Sequence, residues 1–215
     1  LALGYQAGQS TQGVRAFSLG YQAGQITQGS LGSALGFQAG QTSQGTNSMA
    51  IGVSAGTSNQ GINSLAIGTS AGASNQGAYA IAIGNEAGLL VQNSYTVAIG
   101  YQAGQSAQHS YSVLIGTEAG KFWNGSNCIG IGYQAGFSSQ GQDSMAFGTF
   151  SGQFGQSIQS LAIGTQAGQS TQGSQASAIG YQSGQFSQGL QATAIGTQAG
   201  QSNHRANPRF DPIYK

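Results

Sequence analysis

Charge is the scarcest commodity in this chain. Five basic and four acidic side chains make up 4% of its 215 residues, against about a quarter in ordinary soluble proteins. Four of the nine, Arg205, Arg209, Asp211 and Lys215, crowd into the last eleven positions. No basic patch is left to neutralise phosphates, which excludes nucleic acid as a partner. A single cysteine, Cys128, excludes an internal disulfide framework and a thiolate metal cluster. His109 and His204 stand alone, without carboxylate or cysteine neighbours at ligand spacing. The many serines have no histidine and acid arranged to activate them, so no enzyme, cofactor or metal is expected. Apolar runs stay far below the roughly 18 to 20 residues of a membrane span. No basic and apolar leader opens the chain, which starts on Leu1 in mid-repeat, as an excerpt of something longer would.

What is present is glycine, 38 of them, in strict register. One stands at Gly4, Gly20, Gly36 and every sixteenth residue to Gly196, and a second follows four residues later, from Gly8 to Gly200. A low-charge, glycine-rich chain could be disordered, but disorder comes with high net charge, few β-branched residues and no fixed period. A short period without insertions predicts stacked, near-identical rungs. Numbering each rung so that its first glycine is position 4, position 3 is always large and apolar, including Ile51, Ile67, Ile83, Ile99, Ile115 and Ile131. Position 1 is mostly apolar and position 2 mostly alanine. That alternation predicts a β-strand, and glycines at this density exclude helix. Glycine, serine and asparagine at fixed offsets predict tight turns, giving two short strands and two turns per rung. Thirteen rungs at the β spacing make a rod of about 60 Å.

Large apolar residues are expected to form a continuous internal spine. Glutamine at position 12, as in Gln12, Gln28, Gln44, Gln60 and Gln76, is expected to form a stacked amide ladder that fixes register. Alanine at position 2 and glycine at position 4 would leave a smooth small-residue face. Two large apolar side chains per sixteen residues fall short of the entropy of ordering them, which leaves a lone rod marginal even with its hydrogen bonds, so several identical chains, three around an axis, are expected to associate. Residues 1–204 form the repeat domain. The end, Asn207-Pro208-Arg209-Phe210-Asp211-Pro212 onward, leaves the repeat, and 205–215 is expected to be an extended tail or cap.

The phrases Asn47-Ser48-Met49-Ala50-Ile51-Gly52, Asn63-Ser64-Leu65-Ala66-Ile67-Gly68 and Asp143-Ser144-Met145-Ala146-Phe147-Gly148 resemble the Asn-Ser-Val-Ala-Ile-Gly repeat of YadA-like trimeric autotransporter adhesin heads. The resemblance covers residues 1 to about 200. It implies an all-β, left-handed parallel β-roll or β-solenoid, a homotrimer, and adhesive function at an extracellular surface. Two departures stand out. The period is sixteen rather than about fourteen, and Gly-Tyr-Gln-Ala-Gly-Gln, at Gly4 to Gln9, Gly20 to Gln25 and Gly100 to Gln105, is similar to repeats in fibres of bacteriophages and large DNA viruses.

Gly130-Ile131-Gly132 with Gly136 lacks the spacing and the helix of a dinucleotide loop, and Asn124-Gly125-Ser126 fits a glycosylation acceptor only formally. More informative is where the repeat decays. Rungs six to ten introduce Glu86, Leu89, Leu90, Glu118, Lys121, Phe122, Trp123, Phe150 and Phe154 at places elsewhere polar or small. Phe122, Trp123, Phe150 and Phe154 either contact a ligand, a glycan or a host surface protein, or fill a groove between chains. The chain reads as a non-enzymatic attachment fibre on a virion or cell surface. A self-assembling extracellular filament is the alternative, and an ice-binding solenoid is disfavoured because position 5 runs unevenly through Tyr5, Tyr21, Phe37, Val53, Thr69 and Asn85.

Overall fold

A computed structural model describes residues 1–202; the expected tail, 205–215, and His204 lie outside the described residues. The chain is an all-β solenoid of parallel strands, about twelve turns of sixteen residues. Each turn carries one strand at positions 1–3, such as Ile81–Ile83, and, except on rung six, a second at positions 10–12, such as Ser74–Gln76. The first strands make one thirteen-stranded sheet in sequence order. Every residue pairs with its equivalent one rung away, as Ile81 with Val97, Ala82 with Ala98 and Ile83 with Ile99.

The second sheet is split into five and six strands. The break falls at rung six, where Leu89-Leu90-Val91 replaces the polar phrase and only the isolated bridges Gln76 to Gln92 and Gln92 to Gln108 cross it. In this sheet positions 10 and 12 pair between rungs while position 11 does not, as in Ser170 with Phe186 and Gln172 with Gln188. Position 11 is left-handed, with φ +51° at Thr171 and +48° at Trp123. The reversal turns both 10 and 11 outward and leaves only 12 pointing in.

Position 4 explains why the glycine period never slips. Its φ lies near +130°, a region L-residues avoid, and the rungs approach so closely there that a Cβ on Gly68 would sit 2.6 Å from the carbonyl oxygen of Gly84. Glycine is the residue without the offending atom.

The internal isoleucine spine expected from the sequence is not there. Position 2 faces inward: Ala34, Ala50, Ala66, Ala82 and Ala98 are 0% exposed. By the two-residue alternation of a strand, positions 1 and 3 face outward. Ile51, Ile67, Ile83, Ile99 and Ile115 are half-buried, Ile131 is 36% exposed and Ile195, on the last rung described, 66%. They do form a ladder in register, Ile51 on Ile67 and onward to Ile131, but on the outer surface. The physical reason is cross-section. Sixteen residues enclose a lumen that alanines from positions 2 and 7, such as Ala66 and Ala71, fill together with one glutamine per rung. Two more branched side chains per rung have no space. For the same reason the alanine face lines the lumen and is no docking surface.

The position-12 glutamines lie in that lumen, and their main bonds run across it. Gln60 Nε2 donates to the Met49 carbonyl at 2.8 Å, Gln76 Nε2 to Leu65 at 2.9 Å and Gln172 Nε2 to Leu161 at 2.7 Å. Each amide thus ties the second sheet to the first. Amide-to-amide bonds along the axis join some rungs, Gln12 to Gln28 at 3.3 Å, Gln28 to Gln44 at 3.0 Å and Gln76 to Gln92 at 3.1 Å. At other rungs the carbonyl oxygen, that of Gln60 or Gln108 for example, has no partner.

Rung eight changes the filling and balances it. Leu114 replaces alanine at position 2 and is fully buried. Asn124, one methylene shorter, replaces the glutamine above it and donates to the Gly120 carbonyl. Gly130 then replaces alanine on the next rung, where a Cβ would meet Leu114 Cδ2 at 3.0 Å. Extra volume on one rung is offset by missing volume on its own second strand and on its neighbour, as close packing requires.

Candidate functional site

With the lumen closed and tightly filled, everything the solenoid can offer a partner lies on its outer faces. The face of the first sheet is apolar at position 3 on every rung and at position 1 on most, with Ser33, Ser177 and Thr193 as exceptions. The face of the second is mostly polar, serine, threonine and asparagine apart from Ile26, until rung six. From there bulky residues enter at positions 9 to 11, which project outward because of the left-handed residue at 11.

On this second face Phe122 and Phe154 occupy the same position two rungs apart, in strands Phe122–Asn124 and Phe154–Gln156. Phe137, at position 9 of the rung between, bridges them. Its ring meets Phe122 edge-on at 5.3 Å and 87°, and Phe154 at 5.9 Å and 79°, both favourable aromatic geometries. Trp123 stands beside Phe122 and is 70% exposed. Lys121 lies 5.3 Å and 5.9 Å from the Phe122 and Phe137 ring centroids, within cation–π range.

The lysine charge is already matched. Lys121 Nζ donates to Glu118 Oε1 at 2.7 Å, and Gln134 Nε2 donates to the other carboxylate oxygen at 2.6 Å. The Lys121 bond and then the Gln134 bond hold the Glu118 carboxyl below its ordinary range. Glu118 sits at position 6, in the outer glutamine ladders where each amide donates to the rung before it, as Gln38 to Gln22 at 3.0 Å and Gln182 to Gln166 at 2.8 Å. A carboxylate can only accept, so Glu86 and Glu118 each receive from the rung above and end a ladder at its foot.

Phe150 is not with the other three. It lies at position 6, on the corner between the sheets, with its ring edge-on to Tyr133 at 5.1 Å and 81°. The four aromatic residues singled out in the sequence are therefore a group of three on one face and Phe150 alone at a corner, beside Tyr133.

Sequence reasoning passed over Phe137 and Phe186. Phe186, 44% exposed, continues the row of Phe122 and Phe154. The signal was available: at position 10 a bulky residue recurs every second rung, Leu90, Phe122, Phe154 and Phe186, with Ser106, Ser138 and Ser170 between. Also passed over was a column of tyrosines on the opposite corner, Tyr79, Tyr95 and Tyr111, stacked at 5.0 Å and 5.2 Å within 5° of parallel.

Cys128 is fully buried and burial pushes its thiol up, away from the reactive thiolate. Among the described residues no three His, Cys, Asp or Glu side chains converge to hold a metal ion, and no helix is long and apolar enough to cross a membrane.

Residues 60–87, which take in strands Leu65–Ile67, Ser74–Gln76 and Ile81–Ile83, match the YadA head domain repeat in two copies. No curated protein and no solved structure matches the chain. The match falls on rungs that carry the Asn-Ser-Leu-Ala-Ile-Gly phrase at Asn63 to Gly68, and on strands paired parallel and in register with their neighbours. The chain is an all-β parallel β-solenoid, and its residues 60–87 are similar to the YadA head domain repeat.

Proposed function

We propose that the chain is a rigid segment, shaft or head, of a non-enzymatic homotrimeric attachment fibre, displayed outside the cell or on a virion. The observation that carries this reading is the outward aliphatic ladder of the first sheet. Alone, a chain leaves the apolar side chains of position 3, and of position 1 except at Ser33, Ser177 and Thr193, half-buried or exposed along the rod, a contiguous strip of the kind that marks an interaction surface. Identical rungs make the patch uniform, and a uniform straight patch is complementary to further copies of itself around an axis. Three chains with their first sheets toward that axis bury the aliphatic ladders, and the burial supplies the stabilisation that an alanine and glutamine lumen lacks.

In that arrangement every second sheet faces outward, together with Phe122, Trp123 and Phe154. Phe150 occupies the neighbouring corner. Each trimer presents three identical copies of these contacts to a glycan or a host surface protein, and simultaneous engagement raises avidity without any new contact. Neither catalysis nor a cofactor has a place in this reading.

Native mass measurement is the test. The expected result is three chains of 21.6 kDa each, collapsing toward monomers when Ile83 and Ile99 are both replaced by Asn. A monomeric wild-type chain overturns the proposal.

A further inference from the structure

The second sheet carries a two-rung rhythm superimposed on the one-rung repeat. From rung eight, position 10 alternates Phe122, Ser138, Phe154, Ser170 and Phe186. All lie in paired strands of the six-stranded half-sheet. The phenylalanines are thus about 10 Å apart, two steps of parallel strand spacing, in a straight row along the rod. Packing does not demand this. Phe154 and Phe186 are 45% and 44% exposed, so they fill no interior, and serine occupies the same position on alternate rungs without altering the strands.

From Phe154 onward the surroundings of the row are uncharged. No charged residue occurs between Asp143 and Arg205, and Lys121 at the foot of the row is paired with Glu118. Along one flank runs an amide ladder, Gln169 donating to Gln153 and Gln185 to Gln169, both at 2.9 Å. Along the other flank position 11 offers the exposed hydroxyls of Ser139, Thr171 and Ser187. Gly155 interrupts that file beside Phe154, leaving the ring's side open, with nothing nearer than 3.6 Å to where a Cβ would stand.

From this geometry we infer that the outer face of the second sheet, rungs eight to twelve, is a binding lane for an extended, uncharged, β-1,4-linked polysaccharide. The inference deepens the attachment reading and rests on it. In such a polymer successive pyranose rings turn over, so every second ring shows the same apolar face, at a repeat matching two rungs. Each phenylalanine stacks under one such face, as aromatic rings do beneath apolar surfaces bearing a polar rim. The hydroxyls between them bond the equatorial hydroxyls of the sugar. Lack of charge selects against acidic polymers, which would find no cation to replace their counterions and would lose hydration on docking. A protein partner would need a matching two-rung repeat of its own, which makes it the lesser fit.

The assembled fibre is titrated calorimetrically with the hexasaccharide of β-1,4-linked N-acetylglucosamine and that of β-1,4-linked glucose. α-1,4-linked maltohexaose and an acidic oligogalacturonate serve as comparisons. At least one β-linked oligomer is expected to bind, with both comparisons at least about tenfold weaker. Phe154→Ser is expected to weaken binding about tenfold, and Phe154→Ser with Phe186→Ser to abolish it, with circular dichroism and native mass unchanged because serine is already native at position 10. No binding of either β-linked oligomer, equal binding of the α-linked one, or unaltered binding by the double variant overturns the lane. Native mass and cell attachment are scored on the same material. A trimer that attaches to cells but ignores the sugars overturns the lane alone, whereas a monomer that attaches to nothing overturns the fibre reading with it.

Discussion

Replacing Gly164 by alanine puts a Cβ where the chain has no room and no suitable backbone angle. Gly164 has φ +124°, and its added carbon would lie 2.6 Å from the Gly180 carbonyl oxygen and 2.8 Å from its carbon. Both are backbone atoms of the next rung and cannot swing aside. The conformational penalty in that region is about 1 to 3 kcal/mol, and displacing packed backbone adds about 1 to 3 kcal/mol, so a loss on the order of 4 kcal/mol is expected. Gly155→Ala is the matched control in the preceding rung. There φ is +66° and the nearest atom 3.6 Å away, and Ala107 occupies the same position natively with φ +46°. It should cost about 1 to 2 kcal/mol, the left-handed backbone penalty without a clash. Urea unfolding followed by circular dichroism, on the assembled protein at fixed concentration, compares the two. In a solenoid the damage is confined to the affected interface between rungs, so Gly164→Ala is also expected to split a single transition in two. Equal stability of the two variants would refute the claim that rung contact at position 4 is what holds the glycine period.

The lumen gives a second perturbation. Gly130→Ala should destabilise by about 1 to 3 kcal/mol because its Cβ meets Leu114 Cδ2 and the Ala135 carbonyl, and Leu114→Ala should partly rescue it, a coupling that a double-mutant cycle reads directly. Gln172→Met removes the donor from the Leu161 and Ala176 carbonyls and should cost about 1 to 3 kcal/mol in denaturant unfolding. Glu118 is held below the ordinary carboxylate range when folded. Its contribution is therefore complete above the unfolded value and lost as pH falls through the folded one, and Lys121→Met should flatten that acid-side slope in a thermal melt series. The effect is at most about 1 kcal/mol, as for other surface pairs.

Much of the architecture is visible in the residues, because a sixteen-residue period with paired glycines admits few alternatives to parallel rungs in register. What could not be read was which side of the first strand faces in. The alternation of Ile81, Ala82 and Ile83 is identical whichever face is buried, and the usual preference for burying the larger residue fails when the enclosed cross-section of an ordinary rung holds little beyond alanine, a glutamine and a small residue at position 16. The glutamines at position 12 were recognisable as a structural series, yet their principal bonds cross to the opposite sheet, a relation that depends on lumen width and not on spacing. Phe122, Trp123 and Phe154 stood out as departures from the local repeat, whereas Phe137 and Phe186 emerge only when position 10 is followed over two rungs. Phe150 looked equivalent in sequence and lies apart because position 6 is a corner.

Cysteine cross-linking across the proposed axis addresses orientation and assembly at once. Cys128, buried and with its thiol pushed up by burial, supplies a silent background. Ile83→Cys and Ala82→Cys place a thiol on adjacent residues of one strand, and each native protein is treated with a short bis-maleimide. Inter-chain cross-linking is expected for Ile83→Cys, and no reaction for Ala82→Cys until denaturant is added. Rapid native reaction at Ala82→Cys together with a protected, uncross-linked Ile83→Cys would contradict the outward isoleucine ladder and the assembly built on it.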